Sequence, residues 1–187
     1  MRSLVVDASA ALAYLLGEPG AGRAETMIEQ RTDVLVPWLF WSEVINSLAR
    51  RQRWPGSQVL SAVYDLEQLG VRTEAPSRPF MLAAIDAVEA HGLSAYDAEY
   101  LVLAEAANAD LLTGDAHLAA AVGDRAILIE RGHRPAEEVS PYVRGDGRRA
   151  LDWPSWPGAA GYLEELRREV AAEVDRAVGP ETAPNQA

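Results

Sequence analysis

Ser3-Leu4-Val5-Val6-Asp7 runs straight into Ala8-Ser9-Ala10-Ala11-Leu12. The apolar run reads as a short buried strand, and the alanine-rich stretch to Leu16 reads as a helix closed by Gly17-Glu18-Pro19-Gly20. A strand that passes its chain directly to a helix begins a βα unit. The alternation then repeats. A polar-faced helix is expected over 21–31. Val34-Leu35-Val36 forms a second strand stopped by Pro37, and helical apolar spacing follows over 38–53 at Leu39, Phe40, Val44 and Leu48. Pro55-Gly56-Ser57 breaks the chain, with Ser57 as the expected cap of a helix to Leu69. Val71-Arg72-Thr73 is a third strand, followed by helices over about 78–90 and 95–107. Asp110 to Thr113 and Ala126 to Ile129 are two further strands, with a short helix at 116–121 between them.

Short apolar strands separated by helices pair in parallel and are covered on both faces. The expected fold is therefore α/β: a three-layer α/β/α domain over residues 1–130 with a central parallel sheet of about five strands. An order of 3-2-1-4-5 would put the first strand in the middle. No internal repeat of solenoid length is present.

Composition narrows the function. The chain has 187 residues, 49% of them hydrophobic, which suffices for a sizeable core. No apolar run approaches the roughly 20 residues of a membrane helix. The N-terminus enters a strand at once, so a cytoplasmic protein is expected. Absence of cysteine excludes disulfides, thiolate catalysis and a cysteine zinc site. The formal net charge of -11 argues against a general nucleic-acid binder. The sequence holds no lysine, so every fixed cation is Arg, the side chain suited to bidentate phosphate contacts. A genome that favours Arg codons explains the same bias.

Four acids stand in four separate contexts. Asp7 ends the first strand and Asp115 follows the fourth, after Leu112-Thr113-Gly114. In an open α/β sheet those carboxyl ends are where ligands bind. Asp97 opens a helix with Ser94 as its expected cap, and Glu43 lies on a helix with Asn46 at i+3 on the same face. Each also has an ordinary reading. Asp97 fits a helix-terminus acid, Asp115 an N-cap and Glu43 a solvated helix residue. Asp7 resists that treatment, because a carboxylate directly after a buried strand loses solvation unless something satisfies it. Converging carboxylates repel one another, and a hard divalent cation neutralises them. Such an ion can activate water, neutralise a phosphodiester and stabilise the leaving oxygen.

Leu4-Val5-Val6-Asp7-Ala8-Ser9-Ala10 resembles the opening motif of PIN-domain ribonucleases. Glu43-Val44-Ile45-Asn46 resembles their second motif. Leu93-Ser94-Ala95-Tyr96-Asp97-Ala98-Glu99-Tyr100-Leu101 resembles the third, and Leu112-Thr113-Gly114-Asp115-Ala116-His117-Leu118 the fourth. Order and spacing are similar to the short bacterial VapC-type toxins of toxin–antitoxin pairs, over residues 1–130. The resemblance implies an endoribonuclease dependent on Mg²⁺ or Mn²⁺, with Asp7, Glu43, Asp97 and Asp115 as metal-binding acids. It makes Ser9, Asn46 and Thr113 candidates for orienting a carboxylate or a water. It further implies an RNA substrate, a cognate antitoxin that covers the acidic groove, and a homodimer. Some relatives carry another acid two residues after the fourth; here that position is His117, so four acids are expected rather than five.

Arg50, Arg51 and Arg53 end the helix that carries Glu43. Arg50 lies two α-turns beyond Glu43, so a phosphate grip beside the acids is expected. Favourable cationic termination of the helix is the competing account. Trp38, Trp41 and Trp54 suit base stacking or core packing. His91, His117 and His133 lack zinc-like spacing, and no Gly-rich phosphate loop occurs.

Rival functions fit less well. A haloacid-dehalogenase-type phosphohydrolase wants Asp-x-Asp after the first strand, where this chain has Ser9. A receiver-type phosphoacceptor module wants a lysine. A PIN scaffold that binds RNA or protein without cutting would not need all four acids. Residues 131–187 form an expected extension: an irregular Trp- and Pro-rich arm, an amphipathic helix over about 160–178, and a disordered end.

Overall fold

The computed structural model describes residues 2–130 and Arg168. The arm, helix and end expected over 131–187 lie outside the described residues, Arg168 apart. Strands β1 (Leu4–Val6), β2 (Val34–Pro37), β3 (Val71–Glu74), β4 (Asp110–Thr113) and β5 (Ala126–Leu128) form one sheet ordered β3-β2-β1-β4-β5. Every pairing is parallel; Leu4 sits opposite Val34 and Asp110, and Val6 opposite Leu112. β1 is central and its three residues are buried, as a strand covered on both faces should be.

The helices are α1 (Ala8–Leu16), α2 (Ala21–Glu29), α3 (Leu39–Asn46), α4 (Gly56–Gln68), α5 (Arg78–His91), α6 (Ala95–Ala106) and α7 (Ala116–Val122). They complete the expected three-layer α/β/α fold. α6 packs on β1, β2 and β4, while α1 packs on β4, α2 and α3. Leu4, Val5, Val6, Leu111 and Leu112 from the sheet meet Phe40, Leu48, Tyr100 and Leu101 from the helices in the core. Burying each such aliphatic or aromatic side chain stabilises the fold by about 1.5–3 kcal/mol before entropy is counted. α1 stops at Gly17, whose left-handed backbone (φ 62°) lets its N–H reach the carbonyls of Ala13 and Tyr14.

Two local expectations need correction. Ser57 does not cap α4. Pro55 takes that place with an extended ψ of 151°, and its carbonyl accepts from the amides of Gln58 and Val59. The proline ring fixes the φ that starts the helix, so no capping hydroxyl is required. The helix expected over 38–53 is also interrupted. α3 ends at Asn46 and continues as a π-helical turn over Ser47–Arg51, marked by the Gln52 amide donating to the Ser47 carbonyl at 3.0 Å. Arg53 lies beyond it with a left-handed backbone, φ 55°.

The strand order reverses at β1. The chain moves from β1 outward through β2 and β3, then returns to the other side of β1 as β4. A crevice therefore opens at the carboxyl ends of β1 and β4. No described helix is long and apolar enough to cross a membrane.

Candidate active site

Asp7 leaves the end of β1 and serves as N-cap residue of α1. It remains tied to the sheet, since its amide donates to the Leu112 carbonyl at 2.9 Å. Its side chain is only 6% exposed. Oδ2 accepts hydrogen bonds from the Ser9 hydroxyl and from Thr113 Oγ1, the latter at 2.6 Å. Ser9 Oγ accepts from the Gly114 amide at 2.8 Å, and Thr113 Oγ1 accepts from the Asp115 amide at 2.9 Å. This network clasps the ends of β1 and β4 together and fixes the Asp7 carboxylate. The desolvation that made Asp7 hard to read as an ordinary residue is thus partly offset by two hydroxyls.

Asp115 caps α7: its Oδ1 accepts from the amides of His117 and Leu118 at 2.7 and 3.1 Å. Asp97 lies in the first turn of α6. Ser94 Oγ accepts from the Asp97 amide at 3.1 Å and donates to Asp97 Oδ2 at 2.8 Å. The ordinary capping roles are therefore real, and the same hydrogen bonds fix the orientation of both carboxylates. Glu43 projects from α3, and its Oε2 accepts from the Tyr100 hydroxyl at 2.6 Å. Tyr100 is fully buried on α6, and its hydroxyl also lies 3.4 Å from the Ala8 amide. One phenol thereby joins α1, α3 and α6 beside the acids.

Asp7, Glu43, Asp97 and Asp115 all line one cleft of about 210 Å³, together with Ser9, Asn46 and Arg51. Thr113 supports the cleft from beneath through Asp7. Arg50 and Arg53 are not among the lining residues. The π turn explains the difference, because it inserts one residue into the helical register and brings Arg51 to the position that uninterrupted α-geometry gives Arg50. Trp41 and Trp54 are structural. Trp41 packs edge-on against Phe40 and donates to Thr73 Oγ1 at 2.8 Å, and Trp54 is buried. Trp38 is exposed.

The electrostatics record the crowding. Burial raises the Asp7 carboxyl above its ordinary value, against the lowering by Ser9 and Thr113, and the Asp97 charge adds to the rise. Burial also raises Glu43, opposed by the Tyr100 bond and reinforced by Asp7, Asp97 and Glu99. Burial raises Glu99 as well. The Tyr100 phenol is raised by burial and then by the charges of Asp7 and Glu43, so it stays a protonated donor. The site resists its own negative charge, and a cation would relieve it.

A PIN-domain family model matches residues 4–123. This chain belongs to the PIN-domain family. Within it, the chain is 39% identical over 118 residues to the VapC ribonuclease Mb0985 of Mycobacterium bovis, covering 62% of this chain and 87% of that protein. The ribonuclease VapC9 of Mycobacterium tuberculosis matches to the same extent. Among solved structures, PAE2754 from Pyrobaculum aerophilum aligns with a TM-score of 0.52 at 22% identity, covering 67% of this chain and 83% of that one. Mycobacterium tuberculosis VapC20, a toxin that cleaves the sarcin-ricin loop, aligns at 0.53 and 19% identity, covering 63% and 94%. These two likenesses bear on the fold.

The PIN-domain cleft suits a hard divalent ion by its chemistry. Its lining donors are carboxylate, hydroxyl and amide oxygens, with no thiolate or imidazole among them. Among the described residues, no three acidic, His or Cys side chains are already gathered into a metal cage. An ion of the Mg²⁺ class does not require one, since it keeps several waters and takes one or two carboxylates directly.

Two participants escaped the sequence reading. Tyr100 stands in the third motif, three residues after Asp97, but its bond runs to Glu43, 57 positions away in the chain. The only local signal was a phenol in an otherwise apolar helix face, which wants a polar partner when buried. Glu99 was the second. Its influence on Glu43 depends on how α6 meets α3.

Proposed function

We propose that this chain is a metal-dependent endoribonuclease of the VapC toxin type, which hydrolyses RNA phosphodiester bonds. The observation that carries this reading is the convergence of Asp7, Glu43, Asp97 and Asp115, from four separate stretches, on one cleft at the sheet's switch point. The VapC ribonucleases that resemble this chain support it.

In this reading the four acids hold Mg²⁺ or Mn²⁺. When bound, the ion supplies charge neutralisation at the phosphate and lowers the pKa of water. The chain's own groups do the rest. Ser9 and Thr113 fix the Asp7 carboxylate, and Tyr100 fixes Glu43. Asn46 presents an amide to the cleft wall, placed to orient a water. Arg51 meets the phosphate at the cleft, while Arg50 and Arg53, both exposed, meet phosphates farther along the strand. The domain boundary falls near residue 130. A cognate antitoxin covering the acidic cleft, a homodimer and a cytoplasmic location complete the proposal.

Purified wild type and Asp7→Asn should be compared on structured and single-stranded RNA in Mg²⁺, Mn²⁺ or chelator. Cleavage by wild type alone, lost in chelator, is the expected result. Equal cleavage by both proteins would contradict the site assignment.

A further inference from the structure

A second hollow opens beside the acidic cleft. Its volume is about 540 Å³, more than twice the cleft's 210 Å³. The two share Glu43, Asn46 and Arg51, so the hollow continues the cleft rather than standing apart from it. Its remaining walls are Leu39, Ser42 and Tyr96. Tyr96 immediately precedes Asp97 at the start of α6, and it is 63% exposed. A large aromatic ring left that open, one residue from an acid of the cleft, contributes little to the core.

We infer that this hollow is the subsite for the nucleobase next to the scissile phosphate, with Tyr96 as its stacking platform. The inference rests on the endoribonuclease reading and adds the part of the substrate that lies outside the acids. Single-stranded RNA is recognised by splaying bases onto aromatic faces and bonding their edges. The walls supply both elements: an apolar and aromatic pair in Leu39 and Tyr96, and hydrogen-bonding groups in the Ser42 hydroxyl and the Asn46 amide. Arg51 stands at the junction, where the phosphate between base and acids would lie. The small cleft suits a phosphate and a hydrated ion. The larger hollow suits a base and its ribose. An apolar peptide side chain would also fit Leu39 and Tyr96, but the lining shared with the phosphate site favours a nucleotide.

The test uses the full chain and a random-sequence single-stranded RNA pool in Mg²⁺ or Mn²⁺, with kinetics and sequencing of the new ends. Tyr96→Ala should lower kcat/KM about 5- to 150-fold, chiefly through KM, and flatten the base preference beside the cut. Tyr96→Phe should keep both, because the ring and not the hydroxyl does the stacking. Unchanged kinetics and end preference in Tyr96→Ala, with wild type still cutting, would overturn the subsite, spare the nuclease reading and assign the hollow to a polypeptide partner. A fall in kcat alone, uniform over sequences, would also overturn it, since Tyr96 would then merely support Asp97. Failure of wild type to cut RNA in either metal would remove the nuclease reading and the subsite with it.

Discussion

Acids at the amino ends of the strands and acids of the cleft at the other end of the sheet are held in opposite ways. Glu74, at the end of β3, pairs with Arg72 like the former. At the amino ends of the strands, Asp110 meets Arg31 at 2.9 Å and Arg2 at 3.6 Å, and Asp33 meets Arg72 at 3.3 Å and the Ser3 hydroxyl at 2.8 Å. Negative charge there is matched by guanidinium. At the carboxyl ends, Asp7, Glu43, Asp97 and Asp115 accept bonds from hydroxyl and amide groups instead. Such donors orient a carboxylate without cancelling its charge. The amino edge is finished as a structure. The acids of the cleft keep their negative charge, which a bound cation would offset.

Matched substitutions at the two edges should therefore have opposite consequences. Asp7→Asn is expected to lower RNA cleavage by more than about 100-fold, the scale of losing a preorganised catalytic group. In chelator its melting temperature should equal or exceed that of wild type, because a crowded buried charge is removed. A clear drop in melting temperature would show that the carboxylate is part of the scaffold and would dissolve the contrast.

Asp110→Asn is the mirror experiment. It should destabilise the fold by about 1.5–3 kcal/mol, the range for a hydrogen bond to a charged group, because the half-buried Arg31 loses its anion. Cleavage per folded molecule should not change. A large loss of specific activity would mean that the edges are coupled through β4.

Tyr100→Phe sharpens the distinction between orienting and neutralising. Removing the phenolic hydroxyl frees Glu43 to move, with an expected loss in kcat of about 10- to 100-fold, as for groups that orient a metal ligand, and little change in KM. An unchanged rate with a lower melting temperature would make Tyr100 a purely structural bridge.

The smallest effect is on pH dependence. In chelator, the raised carboxyls of Asp7 and Glu43 bind protons in the native state where the unfolded chain has released them. Stability from these groups is complete below the ordinary carboxylate range and falls as pH rises through their elevated values. The melting temperature of Asp7→Asn relative to wild type should therefore climb from about pH 4 toward neutrality. A flat difference would deny the burial cost on Asp7. Saturating Mg²⁺ should shrink the difference at neutral pH by stabilising wild type.

Much of this was legible in the chain because the signals were local. Four of the five strands are short apolar runs ended by a breaker or an acid, β3 (Val71–Glu74) being the polar one at the sheet's edge. The expected order, with the first strand central, is the one observed. Asp7 and Asp115 follow such strands, Asp97 opens a helix and Glu43 lies within one, and all four line the cleft. Of the three arginines expected to grip phosphate, Arg51 lines the cleft, whereas helical spacing points to Arg50. Periodicity assumes a constant helical pitch, and the π turn after Asn46 breaks that assumption. Ser57 was misread because a capping hydroxyl and a proline compete for the same start, and the sequence does not rank them.

By itself, then, the sequence determined the alternation of strand and helix, the acids at their junctions and the excess of negative charge, since each depends on neighbours within a turn or a strand. The tertiary structure alone decided that Tyr100 reaches Glu43, that Ser9 and Thr113 share Asp7, and that Arg51 rather than Arg50 faces the cleft. Those contacts join residues far apart in the chain. Their geometry follows from how layers pack and how a helix is wound, and no pattern of neighbours encodes either.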